Sequence, residues 1–244
     1  MNAPVIRSVG PPPDAHAQRI VHEMLRWLHT ERARLSWRCT EMIDVGQMGS
    51  LVGQQRVTER VRKTMGSLAL DIRLAPGKRG KFTLMVVDWT IVDAETGKAA
   101  EDDGAPTPDR AWLGAVMSLY TGLHHRPVTH VKMPLVVSHH ACVRLAQRAG
   151  VRTVGDMIVA MRELWRAVFI LMDRCKDDVW LDPPNCGWHV PIKVGETLSV
   201  VVLERDKSTE KNRHRLVAVT VLDESMVTRE KLGPTQAVLL EIMS

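Results

Sequence analysis

The feature that most constrains the fold is a block of two helical patterns followed by three strand patterns, between residues 135 and 222. Apolar residues recur at helical spacing over 139–149 and again over 154–174. Three segments rich in β-branched residues come next and are predicted to be strands: Trp188–Ile192, Thr197–Glu204 and Arg215–Leu222. Helices and strands grouped in separate blocks are typical of α+β proteins. We therefore predict helices packed on antiparallel sheets, with a C-terminal half ordered helix-helix-strand-strand-strand.

Local signals mark the ends of the two helices. Gly150 ends the first, because glycine readily adopts the left-handed backbone that closes a helix. Thr153 caps the second, and Asp156 places a carboxylate in its first turn, where negative charge favours the helix dipole. The highly charged segment 205–214 is the predicted loop between the last two strands.

The first half of the chain carries weaker patterns. Helices are predicted from Asp14 to about Arg38 and over 54–64, and a short buried helix is predicted over 112–123. Two strands are predicted on either side of a basic Pro-Gly turn: Ser67–Leu74 and Lys81–Val92. These boundaries divide the chain into four parts: a disordered lead over 1–13, an α+β region over 14–100, a linker or exposed loop over 101–110, and an α+β domain over 111–244.

Charge is the first indication of a ligand. Thirty-three basic residues against 28 acidic ones give a net charge of +5, and most of the basic residues are arginine, which binds phosphate bidentately. A basic protein attracts polyanions, although a soluble chain from a host that prefers arginine has the same composition. We expect a nucleic-acid partner, RNA preferred, and a possible homo-oligomer or protein partner.

The same composition sets an expected compartment. No window approaches 18 consecutive apolar residues, so no membrane span is expected. Four dispersed cysteines make a poor disulfide framework and suit a reducing cytosol. The first residues lack a basic-then-apolar signal pattern, which also favours a cytoplasmic protein.

One helix face carries groups suited to phosphodiester chemistry. His140, Arg144 and Arg148 recur every four residues and form one stripe of the predicted helix, close to an N-terminus that favours phosphate. Histidine transfers protons near neutral pH, and arginine compensates charge that develops on phosphorus. An amphipathic surface helix with a chance histidine gives the same pattern.

Together with the element order, this stripe resembles the barnase/RelE-like ribonuclease fold of bacterial toxins over about 90 of the 244 residues. The run 216–222 is similar to the final strand of such domains, with Thr220 at a position where a polar strand residue contributes. The resemblance implies metal-independent RNA cleavage through attack by the ribose 2′-hydroxyl. His140 would act as base or acid, and Arg144 and Arg148 would stabilise the phosphorane.

On the sheet side, the resemblance makes four residues candidates for the same site: Lys193, Arg205, Arg215 and Thr220. Strand alternation places Thr220 on the face of Leu216 and Ala218, opposite Val217 and Val219. A threonine on such an apolar face is equally a hydrogen-bonded core residue.

Another basic stripe lies on the predicted helix over 54–64, which bears Arg56, Arg60 and Lys63 on one face. We predict that these three residues contact nucleic acid, and a solvated helix face is the alternative.

The sequence therefore leaves two functions open. The protein is either a toxin-like ribonuclease or a non-catalytic nucleic-acid-binding or assembly protein from a phage or mobile element. Both explain the excess of arginine.

No metal or cofactor is expected. Cys175, Cys186 and His189 lack the spacing of a zinc finger, and no phosphate-binding glycine loop follows a strand. Asp88 and Asp93 flank a strand end, where acidic pairs hold Mg²⁺ in some nucleases, but such pairs are more often structural.

Overall fold

A single seven-stranded sheet extends through the computed structural model, which describes residues 14–35, 50–76, 82–94, 111–123, 126–174, 188–206 and 215–226. The described helices are α1 (Asp14–Leu35), α2 (Leu51–Met65), α3 (His139–Arg148) and α4 (Val154–Arg174). The strands are β1 (Ala69–Pro76), β2 (Phe82–Asp93), β3 (Ala111–Leu123), β4 (Arg126–Val137), β5 (Trp188–Val194), β6 (Thr197–Arg205) and β7 (Leu216–Asp223). Short 3-10 turns follow α2 at Gly66–Leu68 and β7 at Glu224–Met226.

The strands are ordered β1-β2-β3-β4-β7-β6-β5 across the sheet. All neighbours are antiparallel except β4 and β7, which run parallel where Leu135 pairs with Leu216 and Val137 with Ala218. A parallel pair requires a long crossover, and the chain between β4 and β7 supplies it with α3, α4, β5 and β6. Strands from both sides of the segment 101–110 therefore belong to one sheet.

Three helices cover one face of the sheet, which we call the α1 face. Helix α1 buries a stripe that includes Ile20, Val21, Met24 and Leu28, at the spacing of one helix side. Helices α3 and α4 pack beside it, and Trp89 and Trp165 lie fully buried in the same core. Each fully buried apolar side chain contributes about 2 kcal/mol to folding, so this core is the main source of stability.

The opposite face, which we call the α2 face, is covered by α2 above β1 and β2. Val57, Val61 and Met65 recur at i, i+4 and i+8 and pack on Leu84 and Val86 of β2. Because one side of α2 is buried on the sheet, the other side must face outward.

The α+β class is confirmed, and so are the helix ends. Asp156 Oδ2 accepts hydrogen bonds from Thr153 N at 3.0 Å and Thr153 Oγ1 at 2.9 Å, while Thr153 Oγ1 accepts from Asp156 N at 3.1 Å. This reciprocal arrangement is a capping box. Gly150 has a φ of +67°, in the left-handed region expected after α3.

The prediction of a helix over 112–123 is wrong, because this segment is β3. It pairs with β2 on one side and β4 on the other, so it is a central strand. Leu113 and Ala115 enter the α1-face core, while Tyr120 packs near α2. A strand with apolar residues on both faces has no polar alternation, so its sequence pattern is the same as that of a buried helix. The C-terminal half therefore begins with two strands before its helices.

The predicted lead over 1–13 and the linker over 101–110 lie outside the described residues. Among the described helices, none is long and apolar enough to cross a membrane.

Candidate nucleic-acid interface

The outward side of α2 carries a row of cations. Arg56, Arg60 and Lys63, which we call the basic stripe, are all exposed. At 100° and 1.5 Å per residue they occupy an arc of about 60° and a length of about 10 Å. In the described part of the chain, none of the three forms an ion pair within 4.0 Å. Their charge is therefore available to an external anion.

Helix α2 has the largest charge excess of the four described helices. It carries four basic residues against one acidic residue, whereas α1 has four against three, α3 two against none and α4 three against three. The one acidic residue of α2, Glu59, lies 2.7 Å from Arg62. Both side chains are more than half exposed, so the pair contributes little to stability, and it leaves the basic stripe uncompensated.

The backbone of α2 is fixed at both ends. Ser50 Oγ accepts a hydrogen bond from Gly53 N at 3.1 Å and caps the N-terminus. At the other end, Arg162 of α4 donates through Nη2 to the carbonyl oxygens of Gly66 at 3.2 Å and Ala69 at 3.1 Å. Val57, Val61 and Met65 also pack on the sheet. Together, these contacts fix the orientation of α2 and so the side of the helix from which the basic stripe projects.

The predicted catalytic stripe on α3 is only partly assembled. His140 is exposed near the start of α3, and Arg144 donates to Gln147 Oε1 at 2.9 Å. Arg148 instead joins α3 to the end of β7: its Nη1 donates to Val221 O at 2.6 Å and its Nε lies 3.7 Å from Asp223 Oδ2. Its guanidinium therefore holds the helix on the sheet.

Thr220 lies on the other side of the sheet from this stripe. Val202 pairs with Thr220 but Leu203 pairs with Ala218, so β7 contains one extra residue at Val219. Ala218 and Val221 both enter the α1-face core, which turns Thr220 to the α2 face. The alternation predicted for this strand is wrong for that reason, and Thr220 does not share a surface with His140.

The remaining predicted contacts are dispersed. Arg215 donates through Nε to Asp206 Oδ2 at 2.5 Å, and both side chains are less than one-tenth exposed, so the guanidinium is engaged by this carboxylate. Lys193 is exposed on β5 and lies 4.0 Å from Glu196. Arg205 is half-buried at the end of β6. These residues belong to the β5-β6-β7 end of the sheet, whereas α2 lies over β1 and β2 at the other end.

Three features of the structure were not predicted from the sequence. One is the contact of Arg162 with the end of α2. The second is a half-buried ion pair between Arg32 and Asp88. Burial raises the pKa of Asp88 to about 6, although the nearby guanidinium lowers it. The third is the Cys142 thiol, whose pKa burial raises to about 12. Long-range pairs such as 32 with 88 leave no local sequence signal.

The described residues contain no group of three or more His, Cys, Asp or Glu side chains placed to hold a metal ion. Cys175 and Cys186, which the sequence singled out, lie outside the described residues, and His189 is buried on β5. Asp88, considered above for Mg²⁺, is engaged by Arg32.

Comparison with known proteins gives no family for this chain: no family model, no curated protein and no solved structure matches it.

Proposed function

We propose that the chain is a nucleic-acid-binding protein that holds the phosphate backbone on the basic stripe of α2. The observation that supports this most directly is the exposure of Arg56, Arg60 and Lys63 on one side of a helix whose other side is buried. Arginine and lysine at fixed positions neutralise phosphates, and the release of condensed counterions makes such binding favourable at low salt.

Binding is better supported than cleavage. The ribonuclease implied by the family resemblance has four groups around one phosphate: His140, Arg144, Arg148 and Thr220. Arg148 is bonded to Val221 O, and Thr220 faces away from α3. A site that keeps only His140 and Arg144 lacks one of its two stabilising cations and the polar group from the strand, which leaves less stabilisation of the charge that develops on phosphorus. We therefore place the function in the binding class and keep cleavage as an outcome of the test.

The test compares two triple variants with the same loss of charge. In the first, Arg56, Arg60 and Lys63 are replaced by alanine. In the control, the exposed Arg19, Arg26 and Arg166 of the α1 face are replaced. Affinity for fluorescently labelled DNA and RNA is measured by anisotropy at 50 mM salt, and circular dichroism verifies that both variants are folded.

We expect the first variant to lose at least tenfold in affinity and the control to lose less than threefold. Equal losses would show that only net charge matters and would overturn the assignment to α2. No binding of wild-type protein to either nucleic acid at low salt would overturn the function itself. Cleavage of the RNA by wild-type protein that is abolished by His140→Ala would restore the ribonuclease assignment.

A further inference from the structure

We infer that the nucleic acid held on α2 is double-stranded DNA, with α2 lying along its major groove; this inference rests on the proposed function. The first support is charge density. The basic stripe places three cations within about 10 Å of helix length. A duplex carries one phosphate charge per 1.7 Å of axis, so about six phosphates lie within that distance. A single strand offers roughly half as many, and each contact with it releases fewer counterions.

The second support is the distribution of charge around α2. Arg62 lies about 130° around the helix axis from the middle of the basic stripe. The exposed Gln55 and Glu59 lie between these two flanks, Glu59 near the outermost line of the helix and Gln55 about 20° from Arg62. A groove has a row of phosphates along each wall. With α2 in the groove, the basic stripe meets one row and Arg62 meets the other, while the polar ridge between them faces the bases.

The third support is the size and rigidity of the helix. The major groove of B-form DNA is about 12 Å wide and admits an α-helix, whereas the major groove of A-form RNA is too narrow for side chains to read. Because contacts of Ser50 and Arg162 hold the backbone at the two ends of α2, the Cα atoms of the basic stripe keep the straight spacing of a helix.

The fourth support is the position of aromatic side chains. Proteins that bind single strands gain about 1–3 kcal/mol for each base stacked on an aromatic ring. Trp89, Trp165 and Trp188 are buried in the α1-face core, and the Phe169 ring is covered by the Arg73 guanidinium at 4.0 Å. These four rings are already occupied by packing contacts, and α2 itself carries no aromatic residue, so binding along α2 relies on phosphate contacts rather than on base stacking.

The experiment measures wild-type affinity for a 20-base-pair DNA duplex, for each of its separated strands, and for an RNA duplex of the same sequence. We expect the DNA duplex to bind at least tenfold more tightly than either single strand or the RNA duplex. Equal or tighter binding of a single strand or of the RNA duplex would overturn the inference.

Arg62→Ala tests the second flank, with Arg166→Ala as the control for lost charge. We expect Arg62→Ala to weaken binding to the DNA duplex at least threefold and to change binding to single strands less than twofold. The slope of log affinity against log salt for the duplex should decrease by the amount expected for about one phosphate contact. An unchanged duplex affinity would overturn the groove geometry. A failure of the proposed function would give a different result. In that case the variant with alanine at Arg56, Arg60 and Lys63 would bind every nucleic acid as tightly as wild-type protein does.

Discussion

Nη1 of Arg32 on α1 lies 2.8 Å from Oδ2 of Asp88 on β2, and the same guanidinium donates to the carbonyl oxygen of Trp89. This pair joins the end of α1 to β2, the second strand from one edge of the sheet, across 56 residues of sequence. Burial raises the pKa of Asp88 from 3.8 to about 6, because removing the carboxylate from water outweighs the favourable charge of Arg32.

The raised pKa predicts a specific pH dependence for Asp88. Between pH 4 and 6 the folded state binds a proton that the unfolded state has lost, so the contribution of Asp88 to the free energy of unfolding falls as pH rises. The difference between 3.8 and about 6 corresponds to about 3 kcal/mol. The free energy of unfolding of Asp88→Asn, relative to that of wild type, should therefore rise by about 2–3 kcal/mol from pH 4 to pH 7.5. Urea denaturation at the two pH values measures this difference. An identical stability difference at the two pH values would contradict this explanation.

The capping box of α4 predicts a loss of stability when its carboxylate is removed. Burial raises the pKa of Asp156, but the hydrogen bonds from Arg152 and Thr153 together outweigh it and hold the pKa below its ordinary value. Asp156→Ala should cost about 1 kcal/mol at pH 7, and less once the pH falls below the lowered pKa of Asp156, where the wild-type carboxyl is itself protonated. Asp156→Asn, which keeps an acceptor oxygen, is the matched control and should lose less than alanine does. Equal losses in the two variants would argue against the cap.

Cys142 should be chemically silent in the folded protein. Its thiol is fully buried, and burial raises the pKa to about 12, so the reactive thiolate is scarce at pH 8. We expect iodoacetamide to label Cys142 only after denaturation, as measured by peptide mass spectrometry. Complete labelling of Cys142 in native protein within minutes would show that α3 opens readily.

The one acidic residue of α2 gives a test in the direction of tighter binding. Glu59 is 70% exposed and opposes the charge of the surrounding cations. Glu59→Gln should raise affinity for DNA about threefold at 50 mM salt, and because exposed ion pairs are weak it should change stability by less than about 1 kcal/mol. Glu163→Gln on α4 removes the same charge from the α1 face, and its affinity should remain at the wild-type value. A weaker Glu59→Gln complex would contradict the proposed contact surface.

Local signals in the sequence were sufficient for the features that depend on neighbouring residues. Thr153 and Asp156 predicted the start of α4, and the spacing of Arg56, Arg60 and Lys63 predicted one face of α2. Features set by distant pairing were not predictable in this way. The extra residue in β7 reverses the direction of Thr220, and Arg148 finds its partner at Val221, 73 residues away. An arginine on a polar helix face has the same pattern whether it meets solvent, a phosphate or a carbonyl oxygen.

The most direct test of the central claim is the salt dependence of DNA binding by wild-type protein and by the variant in which Arg56, Arg60 and Lys63 are alanine. Each phosphate contact contributes about 0.9 to the slope of log affinity against log salt. The account predicts that the magnitude of this slope is smaller by about 2.7 in the variant than in wild-type protein, for duplex DNA between 50 and 200 mM salt. An unchanged slope in a folded variant would contradict the account, because the three residues would then make no contact with the phosphate backbone.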